Sequence, residues 1–276
     1  SRRQRQMCIR DRNGDDTEGA MRRILLMLLL ALSGVSVLRG QLPDNEILTQ
    51  VFRVRIGQEF GTAFTIDVDS QQYLVTVDHL LPEGCPECTL EIWLDNAWQS
   101  LTGRAIRPES SDVAAVALAL EKELSTESTP WSAIEEIELA QQVYFIGFPF
   151  GLRTAETAGV QISEIAFVKT GILSAIDSRN PKAVILYVDG HNNPGFSGGP
   201  VVFYPPGASE PRIAGVLIGY RWDALPVVKR EDLRDPSAET FKDLYARGNS
   251  GIVVAFSIEH LVEAIREGTA NPLQRE

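Results

Sequence analysis

Short runs rich in Val, Ile, Leu, Phe and Tyr recur about every 8 to 14 residues along this chain, each closed off by turn-forming residues. The first series reads LTQVFRVRI, GTAFTIDV, QYLVTV, TLEIWL and DVAAVALAL; the second reads QVYFIGF, QISEIAFV, AVILYV, GPVVFY, IAGVLIGY and GIVVAF. Several alternate apolar and polar with period two, the mark of strands with one buried face. Successive runs are not separated by helical patterns, which makes the chain mostly β and favours a sandwich or barrels over a parallel α/β sheet. Between the series lies EKELSTESTPWSAIEE, polar and proline-bearing. It divides residues 45–270 into near-equal halves, and two small barrels fit: residues 45–122, a linker over 123–134, and residues 135–270. The clearest helix is the last, SIEHLVEAIREG, where Ile258, Leu261, Val262 and Ile265 share one face and Gly268 is the expected stop.

The start of the chain is of another kind. Residues 21–40, MRRILLMLLLALSGVSVLRG, place two arginines before an apolar stretch and then small residues, the layout of a secretory signal peptide. The stretch is shorter than the ~20 residues of a spanning helix, so no stable membrane insertion is expected once it is removed. Residues 1–20 have no hydrophobic periodicity and precede a better-placed Met21; they read as a non-native or read-through extension. They carry +1 and residues 21–40 carry +3, so of the net −11 the remainder of the chain holds −15. That balance argues against nucleic acid and anionic membrane surfaces as partners. An exported destination, periplasmic or extracellular, also bears on Cys85 and Cys88 of CPEC. A redox motif would need a βαβ setting and a zinc site two more ligands, so a small loop disulfide is the simpler expectation and no metal is expected.

The segment VDGHNNPGFSGGPVVF packs glycines and prolines around Ser197. Such a serine is either an ordinary turn residue or a nucleophile held where a base can take its proton. Three histidines can serve as that base: His79, His191 and His260. His260 falls inside the terminal helix, off its apolar stripe, and reads as a solvated residue; His191 sits in the serine's own loop. His79 closes the strand QQYLVTVDHLL, and SSDVAAVALAL places Asp112 at the mouth of a run with no other charge. A carboxylate leading into a core strand needs a partner. An imidazole Nδ1–H supplies one, leaving Nε2 free to accept the serine proton. Asp78 competes, but neighbours at a strand end point to opposite sides. Gly195 to Gly199 also satisfy G-x-S-x-G, yet that elbow runs from serine into helix, whereas GGPVVFYPP runs into a short strand.

In order, GTAFTIDVDSQQYLVTVDHLL, SDVAAVALAL, VYFIGFPFG, DGHNNPGFSGGPVV, IAGVLIGY and GIVVAFSIEHL resemble the landmarks of chymotrypsin-fold serine peptidases of the HtrA/DegP type, over roughly residues 58 to 265. The resemblance implies two six-stranded antiparallel β-barrels with a C-terminal helix and a site in the cleft between the barrels. It implies His79 as base, Asp112 as orienting acid and Ser197 as nucleophile, with the backbone N–H groups of Gly195 and Ser197 as the oxyanion hole. Function follows as an expectation: an exported serine endopeptidase acting on polypeptides through an acyl-enzyme, without cofactor. The alternative is a catalytically inactive, protease-like peptide-binding module. Family members often carry a PDZ domain, and none is expected here. In this fold the place six residues before the nucleophile, His191, lies at the floor of the primary specificity pocket, where a carboxylate would select Lys or Arg; Asp189 is the rival occupant.

Overall fold

The computed structural model describes residues 45–108, 115–152, 154–155, 164–229, 234, 237, 240–241 and 243–270. The expected signal segment and Asp112 lie outside the described residues. The first barrel follows a one-turn helix α1 (Asn45–Leu48) and is built from β1 (Val51–Ile56), β2 (Glu59–Val68), β3 (Gln71–Val77), β4 (Glu87–Leu94), β5 (Ala97–Ile106) and β6 (Ala115–Ala119). It closes in the order β1-β2-β3-β6-β5-β4, antiparallel throughout. Val51 lies opposite Phe64, Phe64 opposite Val75 and Val75 opposite Ala117. These inward positions are almost fully buried, which fixes the register, because a slip of one residue would turn them all outward. Two hairpins turn on residue pairs with positive φ: Asp69 and Ser70 between β2 and β3, Asp95 and Asn96 between β4 and β5. Paired left-handed residues match the twist of the flanking strands.

The second barrel comprises β7 (Gln142–Gly147), β10 (Phe167–Asp177), β11 (Ile185–Asp189), β12 (Pro200–Phe203), β13 (Arg212–Pro226) and β14 (Tyr245–Ser257). It closes as β10-β11-β14-β13-β12-β7, and a two-stranded pair, β8 (Thr154–Ala155) with β9 (Glu164–Ile165), stands beside it. Two closed six-stranded antiparallel barrels are thus the fold expected from the sequence. Closure leaves no open edge around the barrel itself. Val143, Phe145, Leu186, Val201, Phe203, Leu217 and Ala255 fill its interior.

The final helix α2 (Ile258–Ala270) runs through Gly268 rather than stopping there. The reason is packing. Ile258, Leu261, Val262 and Ile265 are at most 1% exposed and join the first barrel's cluster, and a Cβ at Gly268 would stand 3.7 Å from Ile106 of β5. A helix that follows the second barrel in sequence therefore caps the first. Burying each such side chain is worth about 1.5–3 kcal/mol, more than the roughly 1 kcal/mol that an internal glycine costs. His260 is correspondingly less solvated than its place off the stripe indicates: its ring lies 6.0 Å from that of Phe256 and its side chain is 11% exposed. The segment joining the barrels is strapped down. The Gln72 side-chain carbonyl accepts the N–H groups of Leu124 and Ser125, and that of Gln50 accepts the N–H of Thr129.

Candidate active site

β3 ends in buried Val77, and the chain then turns through a 3-10 turn, Asp78–Leu80, rather than continuing as strand. Leu80 and Leu81 fold back into the core, Leu80 lying over Gly61 so closely that a Cβ there would meet it at 2.1 Å. His79 is held between these anchors. The residue is exposed at the surface, yet the protein packed around it is dense enough that partial burial pushes the imidazole below the ordinary histidine range, opposed by the negative charges of Glu59 and Asp78. Asp78 is engaged elsewhere, its Oδ1 accepting from Arg107 Nε at 2.7 Å. The same guanidinium donates to the carbonyl of Cys85 at 2.8 Å and lies 3.7 Å from both sulfurs of the pair Cys85–Cys88, which form a disulfide. Arg107 therefore ties the histidine turn to the CPEC loop, and it directly precedes the segment that carries Asp112.

Ser197 lies between β11 and β12, in a loop shaped by two glycines of positive φ, Gly195 (98°) and Gly198 (89°). Neither tolerates a side chain: a Cβ at Gly195 would stand 2.3 Å from the Phe148 carbonyl oxygen, and one at Gly198 would stand 2.0 Å from that of Thr62. The Ser197 hydroxyl donates to the carbonyl of Ile218 at 3.3 Å. Ile218 is the extra residue of a bulge in β13, between Leu217 opposite Ala255 and Gly219 opposite Val254, so its carbonyl is aimed away from the regular ladder. Among the described residues no hydrogen bond joins Ser197 to His79. The two are linked through backbone: Thr76, three residues before His79, donates to the Thr62 carbonyl at 2.9 Å, and the Thr62 N–H donates to the Ser197 carbonyl at 2.9 Å.

Of the backbone N–H groups from Gly195 to Gly199, three have partners: Phe196 donates to Asn193, Gly198 to Leu217 and Gly199 to Phe196. Those of Gly195 and Ser197 have none among the described residues. The Pro194 carbonyl is drawn to the Phe150 N–H at 2.7 Å. In a trans peptide C=O and N–H point oppositely, so the Gly195 N–H is turned away from Phe150. Two unpartnered donors flanking a serine hydroxyl can receive an oxyanion.

His191 is exposed, and its carbonyl accepts from Lys169 Nζ at 2.7 Å. Lys169 also donates to Asn193 Oδ1 and stands 5.2 Å from the centre of the buried Phe196 ring, where desolvation lowers its pKa. Asp189, at the end of β11, is exposed as well, whereas Asn192, directly after His191, is 2% exposed. Lys169 and Arg107 escaped the sequence reading. Their signal is slight, a single basic residue in a strand for Lys169 and one following a strand for Arg107, because their partners are distant in sequence.

A family model described as "Trypsin-like peptidase domain" matches residues 61–203, more than half of the chain, a span that takes in His79, Asp112 and Ser197. No curated protein matches. Among solved structures, "HtrA-type protease AlgW with tripeptide" is similar with a TM-score of 0.51 at 16% identity, over 83% of this chain and 62% of that one. The chain thus spans about three-fifths of AlgW's length. A serine-to-alanine mutant of Rv3671c from M. tuberculosis H37Rv, in an inactive form, gives a TM-score of 0.51 at 14% identity over 87% of this chain and 96% of that one. At such identities the structural likeness speaks for the fold alone. The sequence match over residues 61–203 goes further: the chain belongs to the trypsin-like peptidase family.

Proposed function

We propose that this protein is an exported serine endopeptidase that hydrolyses polypeptides through an acyl-enzyme, with His79, Asp112 and Ser197 as base, orienting acid and nucleophile. The observation that carries the reading is the pair of unpartnered N–H groups at Gly195 and Ser197, alternating with the committed amides of Phe196, Gly198 and Gly199. A binding module has no need of donors aimed at a charge that develops only during reaction. In the reaction Ser197 Oγ bonds to the substrate carbonyl carbon as its proton passes to His79 Nε2, and the carbonyl electron pair becomes the oxyanion held by the two N–H groups. Collapse expels the amine, which takes the proton from the imidazolium. Water then repeats the sequence to release the acid and restore Ser197. The lowered pKa of His79 supports this role, since a base must be neutral at working pH.

For substrate, β12 pairs β13 only as far as Val216, and beyond it β13 has β14 on one side. The other edge, beginning at Ile218, suits an extended peptide adding as a strand. Export rests on the signal-like residues 21–40 and agrees with a Cys85–Cys88 bridge. Substitution tests the triad. Ser197→Ala and His79→Ala are expected to remove nearly all peptide hydrolysis, and Asp112→Asn to lower kcat about 10⁴-fold by leaving the imidazole in the wrong tautomer. Near-normal kcat in Asp112→Asn together with loss in Asp78→Asn would overturn the acid assignment.

A further inference from the structure

Thr62 belongs to β2 of the first barrel and is 0% exposed, yet three of its four polar contacts are made with the second barrel. Its N–H donates to the Ser197 carbonyl at 2.9 Å, and its hydroxyl donates to the Gly195 carbonyl at 2.7 Å. The same hydroxyl oxygen accepts the Phe148 N–H at 3.1 Å, and the Thr62 carbonyl accepts the Thr76 hydroxyl at 2.9 Å. No polar group of this side chain is idle. In a buried site each would cost stability if left unmade.

The partners of Thr62 form a pattern along the nucleophile loop. Four successive peptide planes run from Pro194 to Gly198. The first and third carry the unpartnered N–H groups of Gly195 and Ser197. The second and fourth carry the carbonyls of Gly195 and Ser197, the two that Thr62 holds. Each donor plane adjoins a plane gripped from the other barrel. A rotation of either gripped plane would swing its neighbour through the shared Cα, and positive-φ glycines at 195 and 198 offer little intrinsic resistance to that.

The geometry points to Thr62 as a positioning residue for the oxyanion hole: its hydroxyl, reaching across from the first barrel, sets the orientation of the Gly195 and Ser197 N–H groups. Through Thr76, three residues before His79, the same side of the latch is referenced to the strand that carries the base. One threonine thereby aligns parts of the site contributed by both barrels. The inference rests on the reading of Ser197 as nucleophile, but its structural half can be read without turnover.

The experiment compares Thr62→Val, which keeps shape and removes the hydroxyl, with Thr62→Ser, which keeps the hydroxyl. Two readouts are taken, peptide hydrolysis and amide hydrogen exchange of Gly198, whose N–H donates to Leu217 at 2.7 Å within the same loop. Thr62→Val is expected to lower kcat about 10- to 100-fold with KM within about threefold, since donors misplaced by a fraction of an ångström are felt in the transition state and not in ground-state binding. Gly198 exchange is expected to quicken about tenfold while amides of the barrel strands keep their protection. Thr62→Ser restores both readouts to within about threefold. If Thr62→Val does not fold, Thr62→Ala, which introduces no new bulk, is read in the same way. Unchanged Gly198 exchange overturns the latch. Unchanged kcat in a variant of an active wild type overturns its role in the oxyanion hole. A wild type without turnover whose Gly198 exchange responds to Thr62→Val would keep the latch and sink the peptidase reading instead.

Discussion

Replacing Gly195 by alanine tests the oxyanion loop more sharply than replacing the serine, because it leaves every catalytic side chain in place. Two costs arise. The residue has φ 98°, a region that L residues enter at about 1–3 kcal/mol. The new Cβ would also stand 2.3 Å from the Phe148 carbonyl oxygen and 2.8 Å from the Phe150 nitrogen, both backbone atoms. Reaching even about 3.0 Å, the closest approach that real Cβ atoms show, requires the loop to open by at least about 0.7 Å, and the Gly195 N–H moves with it. Loss of one oxyanion donor costs about 10²–10³ in kcat, and a displacement of this size is a substantial part of that loss. Gly207→Ala is the control. Its φ is 79°, but nothing lies within 4 Å of its Cβ, so it carries backbone strain alone. With both variants purified, peptide-ester kinetics and thermal unfolding are measured side by side. Gly195→Ala is expected to lose about 100-fold in kcat with KM little changed, and about 5–15 °C in Tm for a destabilisation of about 2–4 kcal/mol. Gly207→Ala should lose a few degrees and keep kcat within about twofold. A Gly195→Ala enzyme with kcat within threefold of wild type would refute the assignment of that N–H to the transition state.

Because burial lowers the His79 pKa, the imidazole stays neutral, and competent as a base, to a lower pH than an ordinary histidine. The acid limb of a kcat/KM profile is therefore expected below about pH 6.5, with activity lost as pH falls through the lowered value; a limb centred above pH 7 would contradict it. In a P1 peptide library, Lys and Arg should be disfavoured by about 10²-fold relative to small or medium apolar residues such as Val, Ala or Leu. Asp189 is exposed, Asn192 is neutral, and Lys169 already places a cation on the loop, so a buried basic side chain finds no countercharge; dominant cleavage after Lys or Arg would show that Asp189 serves the pocket.

How far the sequence carried these conclusions depended on where each residue's partner lies. The strands with a fully buried face, such as Gln71–Val77 and Pro200–Phe203, announce themselves through runs of Val, Leu and Phe. β5 does not, because Trp98, Gln99, Ser100 and Thr102 lie largely at the surface, where packing imposes no alternation. β10 is likewise mostly exposed, and Gly171 and Ser174 break its pattern further. Gly268 reads as a stop because a propensity is local, whereas its tolerance comes from a helix face buried on the other barrel. Ser197 and the glycines around it were legible, since the strain they relieve lies within one short segment. The position of His79 just past a strand could be read, but not that the chain there turns through a 3-10 turn. Asp78 was set aside as the orienting acid by strand alternation, but it stands with His79 in a 3-10 turn where that alternation does not hold; what the structure shows of it is its engagement with Arg107, a contact across 29 residues. Thr62 was not legible at all: its hydroxyl meets a carbonyl 133 residues away.

The central claim is that Ser197 is a nucleophile activated by His79, and covalent labelling tests it most directly. The purified protein is treated with a fluorophosphonate at pH 7.5, and the adduct is located by peptide mass spectrometry. One equivalent on Ser197, lost in His79→Ala while that variant keeps its folded far-UV spectrum, is the predicted result. A folded wild-type protein that takes up no label, or takes it up at another residue, would contradict the account.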